Sequence, residues 1–212
     1  VTFLIDRAGL VGADGATHQG VYDLGYLSML PNMVVAAPRD ARDLKRLVRL
    51  SAEHDGPMAI RYPRDGEDMG ARMESHGAFA IGEWELLSDG QDVMFLAVGR
   101  MVQAAMLAAI ELNGKRVSAG VIDARFVKPM DEKLLGHAAG AKLIVTLEEN
   151  ALSGGFGERV LRWLAESGER ADALALGVPD RFVDQAGVDR QLKECGLDPL
   201  SIAARVLERL GL

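Results

Sequence analysis

The run Val1-Thr2-Phe3-Leu4-Ile5-Asp6-Arg7-Ala8-Gly9-Leu10-Val11-Gly12-Ala13-Asp14-Gly15-Ala16-Thr17-His18-Gln19-Gly20 decides the reading of the fold. It begins as a short apolar strand, Phe3 to Ile5, and passes into a loop with glycines at positions 9, 12, 15 and 20. Val21 to Leu30 then has helical length, and Pro31-Asn32 stops it. A strand that empties into a glycine-rich loop ahead of a helix is the repeating unit of an α/β fold, and ligands bind at that end of the strands. Glycine lets such a loop turn tightly and approach a ligand closely.

Working outward, the alternation continues. Met33 to Ala37 reads as a strand, and Pro38-Arg39-Asp40 introduces a helix over Ala41 to Glu53 with Asp40 as its N-cap. Leu44, Leu47 and Val48 share one face of that helix; Arg42, Lys45, Arg46 and Arg49 form a cationic row on the other, read as a solvated face. Met58 to Tyr62 is a further strand. Asp65 to Gly77 is polar, carries glycines at 66, 70 and 77, and reads as a linker.

The pattern then restarts: strands at Val93–Val98, Val117–Ala124, Leu143–Leu147 and Ala173–Gly177 alternate with helices at Met101–Leu112, Glu132–Ala139 and Phe156–Glu166. Helices near Asp189–Cys195 and Ser201–Leu210 follow. In the helix from Phe156, the side chains of Phe156, Val160, Leu161 and Leu164 are expected to face inward; Met29, Met33, Met101 and Met106 read as core filling. The expectation is an incomplete first unit and a second α/β unit with its own core and a mostly parallel sheet.

Composition narrows the function. The 212 residues carry 24 basic and 31 acidic side chains, a net charge of -7, which argues against an electrostatic nucleic-acid binder. No apolar run approaches the ~18–20 residues of a membrane span. A single cysteine, Cys195, rules out an internal disulfide and a cysteine-rich zinc site, and makes a reduced, cytoplasmic setting the expectation. The chain opens inside an apolar run with no initiator methionine and no signal-peptide pattern, as a strand belonging to something longer would.

Two constellations carry chemistry. In Asp14-Gly15-Ala16-Thr17-His18-Gln19-Gly20, His18 leads toward a helix and can donate or take a proton near neutral pH, and Asp14 can accept from a substrate hydroxyl or orient the histidine. The bland alternative is that both satisfy loop and helix-start donors. Arg7, Arg61 and Arg64 follow two strands, and guanidinium groups delivered to one sheet edge suit bidentate capture of a phosphate; taken singly, each is an ordinary surface ion-pair residue. Ser153-Gly154-Gly155-Phe156-Gly157 leads into a helix and can cradle an anion, but it lacks a P-loop lysine and dinucleotide-fingerprint spacing, and reads as a structural turn or subunit contact. His54, His76 and His137 have no metal-ligand spacing.

The segment from Asp6 to Gly20, with Ile60-Arg61-Tyr62-Pro63-Arg64, Arg125-Phe126-Val127-Lys128-Pro129-Met130-Asp131 and Glu148-Glu149-Asn150 with its glycine-rich turn, resembles the 1-deoxy-D-xylulose-5-phosphate synthases, transketolase-like thiamine-diphosphate enzymes. The resemblance runs in order over almost the whole chain. It implies an α/β fold in which residues 1–78 form the C-terminal part of a pyrimidine-binding domain and residues 79–212 a transketolase C-terminal domain.

It also implies condensation of pyruvate with D-glyceraldehyde 3-phosphate, with loss of carbon dioxide, to give 1-deoxy-D-xylulose 5-phosphate for isoprenoid, thiamine and pyridoxal synthesis. His18 and Asp14 would be the catalytic pair, with Asp14 on the aldehyde substrate's hydroxyl; Arg7 and Arg64, and less directly Arg61, would hold its phosphate. Thiamine diphosphate and Mg2+ would be anchored mainly upstream of Val1, since the chain has no Gly-Asp-Gly motif, and this chain alone would be inactive. Asp65 stands where the family usually has glycine, with Gly66 next. The implied partners are the upstream segment of the same enzyme and a second copy in a homodimer, with no nucleic acid and no membrane. The alternatives are a transketolase, the β subunit of a 2-oxo-acid dehydrogenase, or a non-catalytic dimerisation module.

Overall fold

The computed structural model describes residues 1–64 and 79–212. The linker read over Asp65 to Gly77, the Asp65-Gly66 departure and His76 lie outside the described residues.

Among the described residues there are two sheets. The first takes its strands in the order β1 (Thr2–Ile5), β3 (Met58–Arg61), β2 (Val34–Ala36), β7 (Phe126–Lys128). β1, β3 and β2 are parallel, with Thr2 opposite Met58 and Val34 opposite Met58 on the other side. β7 closes that sheet antiparallel to β2, with Val35 opposite Lys128. The second sheet runs β4 (Glu85–Ser88), β6 (Ala119–Asp123), β5 (Val93–Ala97), β8 (Leu143–Ala151), β9 (Asp172–Val178). It is parallel except at β4, an antiparallel edge.

The helices are α1 (Asp23–Met29), α2 (Ala41–Glu53), α3 (Met101–Gly114), α4 (Glu132–Ala138), α5 (Phe156–Ser167), α6 (Val188–Glu194) and α7 (Pro199–Leu210). Their starts follow from the sequence. Asp40, Asp131 and Asp198 each cap a helix by accepting a backbone N–H three residues on, at 2.9, 3.1 and 3.2 Å. Gly168 and Gly211 end α5 and α7 in the left-handed conformation, where a side chain would be strained. No described helix is long and apolar enough to cross a membrane.

Two strands depart from the sequence reading, β4 and β7; both are short, and the pairing of β7 is made by a distant stretch of chain. β8 extends through Glu148-Glu149-Asn150 to Ala151, which the sequence places just after a strand. Leu161 and Met29 are exposed, so neither fills the core. Leu161 follows Val160, whose side chain takes the inward position; Met29 ends the short helix α1 on its outer side. Val48 is likewise exposed, while Leu47, Ser51 and Asp43 form the buried face of α2.

The cores cross the linker. Val34–Ala37 and Met58–Ile60 pack with Trp84, Phe126, Phe156 and Val160 in one apolar cluster. Trp84 donates from Nε1 to Phe126 O at 2.8 Å and meets the Phe156 ring edge-on at 5.7 Å. Leu10 and Val21, from the glycine-rich loop, sink into a second cluster with Phe95, Leu147 and Val183. A closed ionic cluster seals the same junction. Arg39 reaches Glu85 at 3.0 Å and Asp123 at 3.2 Å, while Arg125 reaches Asp123 at 2.9 Å and also pairs with Glu85. All four side chains are buried. Burial alone would lower the Arg125 pKa, but Asp123, Asp43 and Glu85 outweigh it and hold the guanidinium charged.

Candidate functional site

Four parallel strands from the two sheets end at one place. β1 leads to Arg7, β3 to Arg61 and Arg64, β5 to Arg100 and β8 to Glu149, all on the carboxyl side of the strands. The loop from Arg7 to Gly20 lies across these ends.

Arg7 adopts φ 58°, a left-handed conformation uncommon for a residue with a side chain. The surrounding backbone enforces it: Gly20 N–H donates to Arg7 O at 3.0 Å, and Ala8 N–H to Tyr62 O at 3.0 Å. A Cβ on Gly20 would overlap Arg7 O, and one on Gly9 would overlap the Glu149 carboxylate, so these two positions demand glycine. A strained arginine held by its neighbours marks a place where the fold spends stability on geometry.

The strain aims the side chain. Arg7 Nη1 donates to Asp14 Oδ2 at 3.0 Å, and Arg64 reaches the same oxygen from the end of β3. All three groups are solvent-accessible, with side-chain exposures of 35% for Arg7, 27% for Asp14 and 54% for Arg64. The Arg64 hydrogen bond is the main influence holding the Asp14 carboxyl below its usual range; desolvation opposes it, and the charges of Arg64, Arg7 and His18 add to the lowering. Two guanidinium groups facing one carboxylate in the open form a ready anion site.

His18 ends a single 3-10 turn, Ala16–His18, five residues short of α1, and not at the start of the helix itself. Its ring is exposed, with Nδ1 3.0 Å from Thr17 Oγ1.

Arg61 is placed differently from Arg7 and Arg64. It is buried, donates from Nε to Asp23 Oδ2 at 2.8 Å, and gives Nη2 to Gly20 O and Glu149 O, each at 2.6 Å. These bonds join the loop, β3 and β8, and they occupy the guanidinium within the protein. The structure thus separates Arg61, a tie between the two sheets, from the exposed pair. Three residues along one strand end make the difference: Arg61 belongs to β3 and points into the junction, while Pro63 carries Arg64 beyond it.

The sequence reading missed Arg100. With Glu149 it forms a clamp on the loop: Leu10 N–H donates to Glu149 Oε1 at 2.5 Å, Arg100 Nη2 donates to Leu10 O at 3.0 Å, and Arg100 pairs with Glu149 directly. The available signal was position, since Arg100 follows a strand and Gly99 on the ligand side of the sheet. The neighbouring Glu148 accounts for the glycine-rich turn. Its carboxylate accepts the Phe156 and Gly157 N–H groups at 2.7 and 2.8 Å, filling the start of α5 with a carboxylate from the chain itself. Burial pushes its pKa up to about 7, against the pull of those two N–H donors and of Arg61.

Comparison with known proteins is consistent in both units. Residues 1–66 match the model for the transketolase pyrimidine binding domain, and residues 82–202 that for the transketolase C-terminal domain. The chain belongs to the transketolase family. That family comprises thiamine-diphosphate-dependent transferases. Within the transketolase family this chain is similar to the 1-deoxy-D-xylulose-5-phosphate synthase of Syntrophotalea carbinolica, 45% identical over 97% of this chain and 33% of that protein. The synthase of Trichodesmium erythraeum is 46% identical over 98% of this chain and 33% of that protein. The chain thus spans about a third of the length of the curated relatives it matches. A solved structure described as a split gene transketolase, an inactive beta4 tetramer, superposes with TM-score 0.87 at 32% identity, covering 100% of this chain and 67% of that one. The transketolase of Campylobacter jejuni shares the fold, with TM-score 0.77 at 17% identity.

Among the described residues no group of three His, Cys, Asp or Glu side chains is placed to hold a metal ion. Asp14, the carboxylate at the open cluster, is taken by two arginines. The described residues do not fit a diphosphate–metal anchor.

Proposed function

We propose that this chain supplies the aldehyde-phosphate side of the active site of a 1-deoxy-D-xylulose-5-phosphate synthase, which condenses pyruvate with D-glyceraldehyde 3-phosphate and releases carbon dioxide. The observation that carries the reading is the convergence of Arg7 and Arg64 on Asp14 in the open. An incoming phosphate competes with Asp14 for the two guanidinium groups, and Asp14, displaced toward the substrate chain, accepts from its hydroxyl. His18, exposed on the same loop, gives a proton to the aldehyde oxygen as the new carbon–carbon bond turns it into an alcohol. Thiamine diphosphate and Mg2+ belong to this proposal as cofactors held by other parts of the complete enzyme, as does a homodimer in a reducing, cytoplasmic compartment.

The test uses the complete enzyme. Arg7→Ala or Arg64→Ala removes a charged hydrogen bond of about 1.5–3 kcal/mol, raising KM for D-glyceraldehyde 3-phosphate about 10- to 100-fold. The effect on glyceraldehyde without the phosphate stays small. An equal loss on both aldehydes would sink the phosphate assignment. Turnover of a sugar-phosphate donor but not of pyruvate would replace the synthase reading with a transketolase.

A further inference from the structure

The C-terminal unit grips the substrate loop at a second place, two residues beyond the Leu10 held by Arg100 and Glu149. Gln191 on α6 is fully buried and pairs with both backbone groups of Gly12: Gly12 N–H donates to its Oε1 at 2.9 Å, and its Nε2 donates to Gly12 O at 3.2 Å. The same Nε2 donates to Asp184 O at 2.8 Å. One carboxamide therefore stitches the loop to the segment that precedes α6. Gln19 Nε2 adds an outer tie to Val183 O at 3.0 Å.

Packing follows the same line. Gly12 has φ 69°, and a Cβ there would come to 3.3 Å from Val188 Cγ2; one on Gly15 would lie 3.5 Å from Gln185 Cβ. Residues 183–191 thus cover the loop from Gly12 to Gln19, the stretch that carries Asp14 and His18.

Resting on the functional reading above, we propose that Gln191 is a positioning residue for the substrate phosphate. It fixes Gly12 so that Asp14 stays within reach of Arg7 and Arg64, and it makes the C-terminal unit a working wall of the site. It touches no substrate atom; it acts through the loop backbone. A carboxamide suits the task because it presents one acceptor and one donor to the two groups of a single peptide residue. Loss of the pairing leaves Gly12 N–H unpaired in a buried place and takes one of the two donors from Gly12 O, which Gly15 N–H also reaches at 3.2 Å; the loop relieves that by moving.

The experiment measures steady-state kinetics of the complete enzyme with Gln191→Met, which keeps the volume and removes the bonds, and Gln191→Glu, which keeps an acceptor for Gly12 N–H but lacks the amide donor. Gln191→Met is expected to raise KM for D-glyceraldehyde 3-phosphate about tenfold, with KM for pyruvate and kcat within about twofold. Gln191→Glu is expected to fall between it and the wild type. Gln19→Met, cutting only the half-exposed outer tie, gives the same readout about two- to threefold, in a variant that leaves the buried pairing intact. Arg7→Ala is run beside them. A lowered melting temperature with unchanged KM in the three glutamine variants, while Arg7→Ala still raises KM, overturns the proposal and leaves the phosphate site standing. An unchanged KM in Arg7→Ala as well overturns both.

Discussion

Arg7 and Arg64 meet Asp14 where solvent reaches them, whereas Arg39 and Arg125 meet Glu85 and Asp123 where it does not. Both clusters join distant parts of the chain, and both use arginine forks on carboxylates. In the closed cluster each charge depends on the others, because removing one leaves the rest stranded in a poor solvent for ions. In the open cluster water covers for a lost partner, so the pairs add little to stability and can be exchanged for a ligand. Solvent access, not residue type, divides the arginines locked inside the protein from those proposed to bind phosphate, and Arg61, three residues from Arg64, falls on the locked side.

The largest expected effect tests the closed cluster. Arg125→Ala takes an arginine away from both Asp123 and Glu85 and is expected to cost about 3–5 kcal/mol in urea denaturation. A loss below about 1 kcal/mol would show that water reaches the cluster and would erase the distinction.

Glu148 sharpens the comparison, being a buried carboxylate held by backbone N–H groups in place of arginines. Its folded pKa of about 7 stands above the ordinary glutamate value of 4.5, with Arg61 and Glu158 the charged groups acting on it. The folded state therefore binds the proton more tightly than the unfolded state. Stability from this group is fully present below the unfolded pKa and is lost as pH rises toward the folded one, by up to about 3 kcal/mol. Glu148→Gln should flatten the pH dependence of the denaturation midpoint between about pH 4.5 and 7; an unchanged slope would assign that dependence to other groups.

The open cluster should respond in the opposite sense. Arg7→Ala is expected to change unfolding free energy by no more than about 1 kcal/mol, while binding of inorganic phosphate to the complete enzyme weakens about tenfold. The smallest effect sets the baseline: Arg162→Ala breaks the exposed pair with Glu166, at 2.8 Å, and should cost about 0.5 kcal/mol or less. If Arg7→Ala and Arg162→Ala were alike in phosphate binding, the open cluster would have no special role.

Much of the fold was legible because it rests on local rules. The apolar runs at Val93–Val98 and Leu143–Leu147 and the caps at Asp40 and Asp131 depend on neighbours within a few residues, and the elements they imply are present within a residue or two, apart from the longer β8. β7 escaped because Phe126–Lys128 is a strand only by virtue of pairing with Val35 and Ala36, about ninety residues earlier. The site divides in the same way. The glycine spacing and the arginines after strands are local signals, and they point to the loop. Which arginines solvent reaches, and what Glu149, Arg100 and Gln191 hold, depends on contacts across the whole chain. The periodicity of α6 contains no sign that Gln191 would face Gly12.

The strand from Phe126 to Lys128 gives the sequence boundary a different meaning. It is the last strand of the amino-terminal sheet, and its Lys128 Nζ donates to the carbonyls of Ser28 and Leu30. A chimera that exchanged residues 79–212 for those of a distant relative would take away that strand, the carboxylates that receive Arg39 and the glutamine that holds Gly12. The packing unit is therefore wider than either family domain, and a substitution on one side of the junction is felt on the other.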